Sequence, residues 1–295
     1  MSATARPGFA AGPKRDERVA KRLSRNRAGV NVLARVLCMV ATVIGLALLA
    51  SILYTLVALG FEGLSVTVLT HSMADPSGQP GLLNAIVGTL IQTAIGTVIG
   101  TPIGILVGTY LSEYARDSWL GSAVRFVSDV LLSAPSILIG LFVAELLING
   151  HGYSGFAGGV ALSIIVIPIV VRTTEDMLHL VPVELREAAV ALGAPKWKSI
   201  VLICYRAVLD GIATGILIAI ARIAGETAPL LFTSFGNPNW TLNVNGAVGS
   251  LPTAIFNLVT GSPDDVRLAW VAALLITLGV LALNIVARVA LRPRR

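Results

Sequence analysis

Residues 36–61 read VLCMVATVIGLALLASILYTLVALGF, from Val36 to Phe61, with Arg35 before the run and Glu62 after it. A helix of that length, about 39 Å, crosses a hydrocarbon core of about 30 Å with some tilt. The run is too long for the apolar part of a leader and follows a long basic segment, so an uncleaved membrane helix is expected.

The composition extends this reading to the whole chain. Of 295 residues, 55% are hydrophobic and only 13% charged, with a mean hydropathy of +0.82. A soluble domain of this size needs more polar surface, so the surplus apolar surface faces lipid and a cytosolic enzyme is excluded. The net charge of +6 in so apolar a chain argues against a nucleic-acid partner. Further apolar runs predict five more spans, at about 82–111, 124–148, 156–171, 207–235 and 268–287. The third carries Asp129 and Glu145 near its ends. Pro102, Pro135, Pro168 and Pro229 each fall inside a different span, where a freed carbonyl favours a kink.

The fold class expected is an all-α membrane protein with six transmembrane helices. Placing both termini in the cytoplasm puts every Lys and Arg on the inner side except Arg222, inside a span, and Arg267, which the positive-inside rule favours. The chain then divides into a basic cytoplasmic tail without fixed structure (1–35), the first helix (36–61), an outer loop (62–81), a five-helix transmembrane domain (82–289) and a basic cytoplasmic end (290–295). The tail reads as a positive-inside anchor.

In the second span Gly96, Gly100, Gly104 and Gly108 repeat at four-residue steps beside Thr89, Thr93, Thr97 and Thr101. Small residues so spaced predict close helix packing rather than a pore lining. Cys38 and Cys204 are far apart in apolar runs and read as filler. His71, His151 and His179 are scattered without a ligand partner, so no disulfide or metal site is expected.

Residues 172–206 form the one substantial loop on the basic side. Within it Pro182 suits a first helical turn, Gly193 the left-handed position beyond a helix end, and Pro195 the stop. Leu185, Ala188, Ala189 and Leu192 share one face at i, i+3, i+4, i+7. A helix of about ten residues with such a face either packs on its own helix ends or docks into a cleft on a partner protein.

Glu187-Ala188-Ala189, three residues and then Gly193 resembles the EAA loop of permease subunits of binding-protein-dependent ABC importers. The family pattern continues to Ile-x-Leu-Pro, where this chain has Ile203-Cys204-Tyr205-Arg206. The resemblance implies a type I importer permease. Its helix bearing Glu184, Glu187, Ala188, Ala189 and Gly193 would enter a groove on a separate ATPase and transmit closure to the pore. The chain has no Gly-Lys dipeptide and so no phosphate loop of the usual kind. No cofactor is expected in it, with ATP and Mg bound by the partner ATPase.

The fifth expected span carries Arg222-Ile223-Ala224-Gly225-Glu226-Thr227-Ala228-Pro229. Counted from Ala207, Arg222 lies about 22 Å into the core, too deep to snorkel comfortably, with Glu226 one turn on to neutralise it. A structural ion pair is one reading. The other is a polar pathway in which the guanidinium fork meets an oxyanion. Composition and spacing reach no further than an anion permease.

The stretch from Arg222 to Thr233 closely resembles permeases of phosphate ABC importers, as do Arg172-Thr173-Thr174-Glu175 and Leu251-Pro252 followed by Ile255-Phe256-Asn257. The likeness runs from about Leu82 to Val289. It implies inorganic phosphate as substrate, with Arg222, Glu226 and Thr227 on its path. Arg172 and Glu175, an i, i+3 pair, serve either as an inner station or as a snorkelling anchor. It also implies a PstC-like homologous permease, a PstB-like ATPase dimer, an extracytoplasmic PstS-like binding protein and a place in the bacterial cytoplasmic membrane.

The nearest alternative is the same machine for sulfate or molybdate. An ion-coupled secondary transporter would need no docking helix and usually shows inverted repeats, which the sequence lacks. An intramembrane enzyme would need a nucleophile with its base, or a metal cluster, and neither is apparent. The Asn-rich outer loop from Gly236 to Arg267 is a candidate contact surface for a binding protein.

Overall fold

A computed structural model describes residues 17–150 and 152–290, all helix, turn or loop with no strand among them. Residues 1–16 of the basic tail, His151 and residues 291–295 lie outside the described residues. The chain divides into two units, Met1–Thr55 and Leu56–Arg295.

In the first unit the helix α1 (Glu17–Glu62) is unbroken up to the unit boundary, and its large apolar side chains from Val30 to Tyr54 are exposed. The tail expected to lack structure is therefore helical from Glu17. Once a long apolar helix is nucleated, extending it through Arg, Lys, Leu and Ala costs little.

The second unit contains α2 (Val66–Thr70), α3 (Leu83–Glu113), α4 (Trp119–Ser133), α5 (Ser136–Leu147), α6 (Gly155–His179), α7 (Val183–Ala191), α8 (Lys196–Ser199), α9 (Tyr205–Ile223), α10 (Ala228–Thr233), α11 (Leu251–Leu258) and α12 (Pro263–Ala290). By length and apolarity five helices of the chain suit a membrane crossing, or six if α4 and α5 count as one broken span.

α6 is the central helix, with 67% of its apolar window buried inside the chain against 22% for α3. The glycine ridge of α3 packs on it. A β-carbon on Gly100 would lie 2.8 Å from Val166 Cβ, and one on Gly104 would lie 2.6 Å from Val170 Cβ. In lipid, helices associate through packing rather than water release, so a bare backbone ridge provides the contact that larger side chains would prevent. Leu162, Ile165, Val166 and Val170 then close a core with Ile139 of α5, Ala219 and Ile223 of α9 and Leu230 of α10. The threonines beside the ridge serve locally: Thr97 donates to Thr93 O at 2.8 Å, and Thr89 accepts from Leu251 N at 2.8 Å.

Two spans expected to be continuous are broken. The third, expected as one run from Val124 to Ile148, is α4 and α5 meeting at 104°. Proline forces its predecessor out of the helical region, and Ala134 (φ −65°, ψ 138°) and Pro135 (φ −59°, ψ 126°) are both extended. The fifth, expected from Ala207 to Phe235, starts earlier and ends sooner. Helix begins at Lys196, passes through a π turn at Ile200–Cys204 and stops at Ile223. After residues 224–227 the chain restarts as α10, with Pro229 in its first turn.

The departure from the family pattern at Tyr205 falls just after the π turn. There the Tyr205 hydroxyl and Thr109 Oγ1 lie 2.6 Å apart, tying the start of α9 to α3.

The Asn-rich loop is largely turn chemistry. Asn237 Oδ1 accepts from Asn239 N at 2.9 Å, and Asn243 Oδ1 from Asn245 N at 3.1 Å. Asn84 and Gln92 of α3 pin it down, donating to Asn237 O at 2.6 Å and Val248 O at 3.3 Å. Trp240 and Leu242 stay exposed on it.

Candidate functional site: a loosely paired arginine and an exposed amphipathic helix

Arg222 stands in the last turn of α9, where the negative end of the helix dipole favours a cation. It is not buried inside an unbroken span. Its side chain is 51% exposed within the chain, and it lines a cavity with Ala134 and Ser136, which flank Pro135, and with Ile165, Pro168 and Ile169 of α6. Three proline-marked irregularities thus surround it: the α4–α5 bend, Pro168, and the α9–α10 break ahead of Pro229. Each replaces regular helix with backbone whose polar groups are not all spent within the helix.

Glu226 lies in that break. Its Oε1 is 3.8 Å from Arg222 Nε, an ion-pair distance but too long for a hydrogen bond. The guanidinium therefore keeps its donors. Thr227 begins α10 as its N-cap, and its hydroxyl makes no capping bond. Arg222, Glu226 and Thr227 come together as the sequence suggested, though at a helix break.

Arg172 and Glu175 do not pair. Glu175 is 3% exposed, and its Oε1 accepts from Arg125 Nε at 2.7 Å. Arg125 also donates to Leu111 O at 3.1 Å and Arg116 O at 3.2 Å, holding the end of α3. Arg172 instead faces Asp176 at 3.5 Å, both about half exposed. An α-helix brings i and i+4 together as readily as i and i+3, and the buried carboxylate of Glu175 took the more buried of the two guanidiniums, Arg125 at 22% exposed against 52% for Arg172. In the sequence Arg125 stands out only as one of the inner-side charges. The signal for it is a carboxylate on the face of α6 that packs against the α3 glycines, which burial obliges to find a cation.

The loop helix forms as expected and ends where expected. Gly193 has φ +76°, Gly193 N donates to Val190 O at 2.9 Å, and Ala194 N to Ala189 O at 3.0 Å, the paired bonds of a Schellman cap. Arg186 anchors the helix, donating to Glu113 Oε1 and, at 2.6 Å, to Leu178 O. Of the predicted apolar face only Ala189 is buried. Leu185, Ala188 and Leu192 are exposed, the last at 89%, and so are Glu184 and Glu187. Packing on its own helix ends therefore leaves most of this face uncovered.

Residues 100–294 match the family described as "Binding-protein-dependent transport system inner membrane component". The chain is 49% identical over 261 residues to "Phosphate transport system permease protein PstA" of Pasteurella multocida (strain Pm70), covering 88% of this chain and 93% of that one. It is 47% identical over 269 residues to the protein of the same description in Yersinia pestis, covering 90% and 91%. Among solved structures it resembles a bacterial alginate ABC transporter in complex with an alginate pentasaccharide-bound periplasmic protein. There the TM-score is 0.63 and identity 15%, over 92% of this chain and 96% of that one. It also resembles an inward-facing MetNI methionine ABC transporter, with TM-score 0.57 and identity 18%, over 72% and 93%. At those identities the likeness is one of fold.

Proposed function

From the premise that this chain belongs to the PstA phosphate permeases, within the binding-protein-dependent inner membrane components, we propose how it moves its substrate and what drives it. The chain is the multi-pass inner-membrane permease subunit of a bacterial phosphate ABC importer. As a transport subunit it works in a complex with other components. Inorganic phosphate passes Arg222, whose guanidinium forks onto the oxyanion while Glu226 balances the charge when the site is empty and Thr227 offers a hydroxyl. The observation that supports this is the 3.8 Å separation of Arg222 from Glu226, which leaves the fork unspent beside two helix breaks and Pro168.

Energy comes from a separate PstB-like ATPase dimer, which binds ATP and Mg, with no cofactor in this chain. The dimer receives the exposed face of α7, with Glu184, Glu187, Ala188, Ala189 and the cap at Gly193. A PstC-like permease completes the pore and a PstS-like protein delivers phosphate from outside. Both termini and α7 lie on the cytoplasmic side. Arg172 is a surface anchor at the inner membrane edge, and Glu175 with Arg125 is structural.

Uptake of labelled phosphate into cells or proteoliposomes carrying the assembled transporter tests the reading. Unlabelled phosphate should compete, and sulfate and molybdate should not. Equal competition by sulfate would transfer the assignment to a general oxyanion permease.

A further inference from the structure

At the root of α7 a cavity of about 210 Å³ opens between the ends of α3 and α6, lined among others by Ser112, Glu113, Arg116, His179 and Arg186. We infer that this cavity binds a phosphate group, either free inorganic phosphate or the headgroup of an anionic lipid, at a second site separate from the Arg222 path. Two guanidiniums and an imidazole face a single carboxylate there. That carboxylate, Glu113, already accepts from Arg186 through Oε1, while Lys196 Nζ donates to its backbone oxygen. Arg186 spends Nη1 on Glu113 and Nη2 on Leu178 O, leaving Nε. Arg116 is exposed with no side-chain partner among the described residues, and His179 is exposed beside it.

Ser112 lines the cavity but is 6% exposed with its hydroxyl turned away from accessible space, so the donors that face an occupant are those of Arg116, His179 and Arg186. The wall is thus rich in unspent donors and short of acceptors, the pattern a tetrahedral oxyanion completes. The volume, about seven waters at ~30 Å³ each, holds such a group with some of its hydration. Tyr114 and Leu180, next in the chain to the lining residues Glu113 and His179, are exposed, the kind of interfacial rim on which a lipid headgroup sits. Because Arg186 joins this cavity to α7, the occupant touches the same residue that anchors the loop helix.

The test uses the full chain, with whatever subunits co-purify, in nanodiscs. An Arg222→Ala background silences the proposed transport path, so that loss of the second site and failure of the transport reading are told apart. Discs of phosphatidylcholine alone receive labelled inorganic phosphate. Parallel discs containing phosphatidylglycerol are examined by native mass spectrometry for retained lipid. Bound phosphate in the first, or one retained phosphatidylglycerol in the second, supports the site and names its source. In either case Arg116→Gln, and separately His179→Gln, should weaken binding about tenfold by removing a charge-assisted donor. Neither ligand bound, as would follow if a partner subunit fills the cavity, or binding unaffected by both substitutions, overturns the inference.

Discussion

Arg125 donates from Nε to Glu175 Oε1 at 2.7 Å, joining two residues 50 positions apart in the chain. The carboxylate is almost fully buried, and the guanidinium, 22% exposed, also holds two carbonyls at the end of α3. The pair locks α4 and the α3 terminus to α6, so its expected role is architectural. Arg125→Gln strands a buried charge and should cost about 3 kcal/mol, while Arg125→Gln with Glu175→Gln should recover much of that loss. Thermal unfolding of the purified chain checks this. Equal Tm for wild type and Arg125→Gln would rule out the tie.

Arg222 and Glu226 should behave differently. Arg222→Ala should abolish phosphate uptake at unchanged membrane level, and Arg222→Lys should restore it only in part, since an ammonium lacks the bidentate fork. The double variant Arg222→Ala with Glu226→Gln should fold and stay inactive. Near-normal uptake by the double variant, normalised to protein in the membrane, would make the pair purely structural.

For α7, two substitutions separate docking from folding. Glu187 is exposed and forms no ion pair among the described residues, so Glu187→Lys should leave stability within about 0.5 kcal/mol while reducing co-purified ATPase and uptake. Gly193→Val places a branched side chain at φ +76° with open space around it, so its cost, about 1–2 kcal/mol, comes from the backbone alone. It should fray the cap and uncouple the helix as well. Wild-type ATPase recovery and uptake in both variants would remove α7 from coupling.

Orientation is checked by labelling. Single cysteines at Ser77 or Asn239 should react with an impermeant thiol reagent applied to intact cells, and one at Lys198 only after the membrane is opened. Reaction of Lys198→Cys in intact cells would reverse the assigned topology.

The residues that were legible in the sequence are those governed by local rules. The α7 stop at Gly193 follows from backbone sterics within five residues. The glycine ridge of α3 follows from a four-residue period, and the nearness of Arg222 and Glu226 from their four-residue spacing, although the helix ends between them. What was misread depends on where distant elements meet. Spacing alone pairs Arg172 with Glu175, because nothing local tells that Arg125 arrives from another helix. Pro135 and Pro229 suggest kinks in continuous spans, whereas Pro135 separates α4 from α5 and Pro229 opens α10 after a break that begins at Ile223.

The sequence by itself determined that this protein crosses a membrane, roughly where its apolar helices run, and that a short helix with a glycine stop at Gly193 lies between α6 and α9. Hydropathy, period and cap chemistry act over a turn or a span and need no partner to be felt. Only the tertiary structure decided that Arg222 sits at a junction of breaks with its donors free, that Glu175 belongs to Arg125, and that Arg116, His179 and Arg186 share one cavity. The reason is that a helix fixes the bearing of its side chains but not what they meet. A proline permits a bend without setting its angle, and the 104° between α4 and α5 is set only by packing against the helices around them.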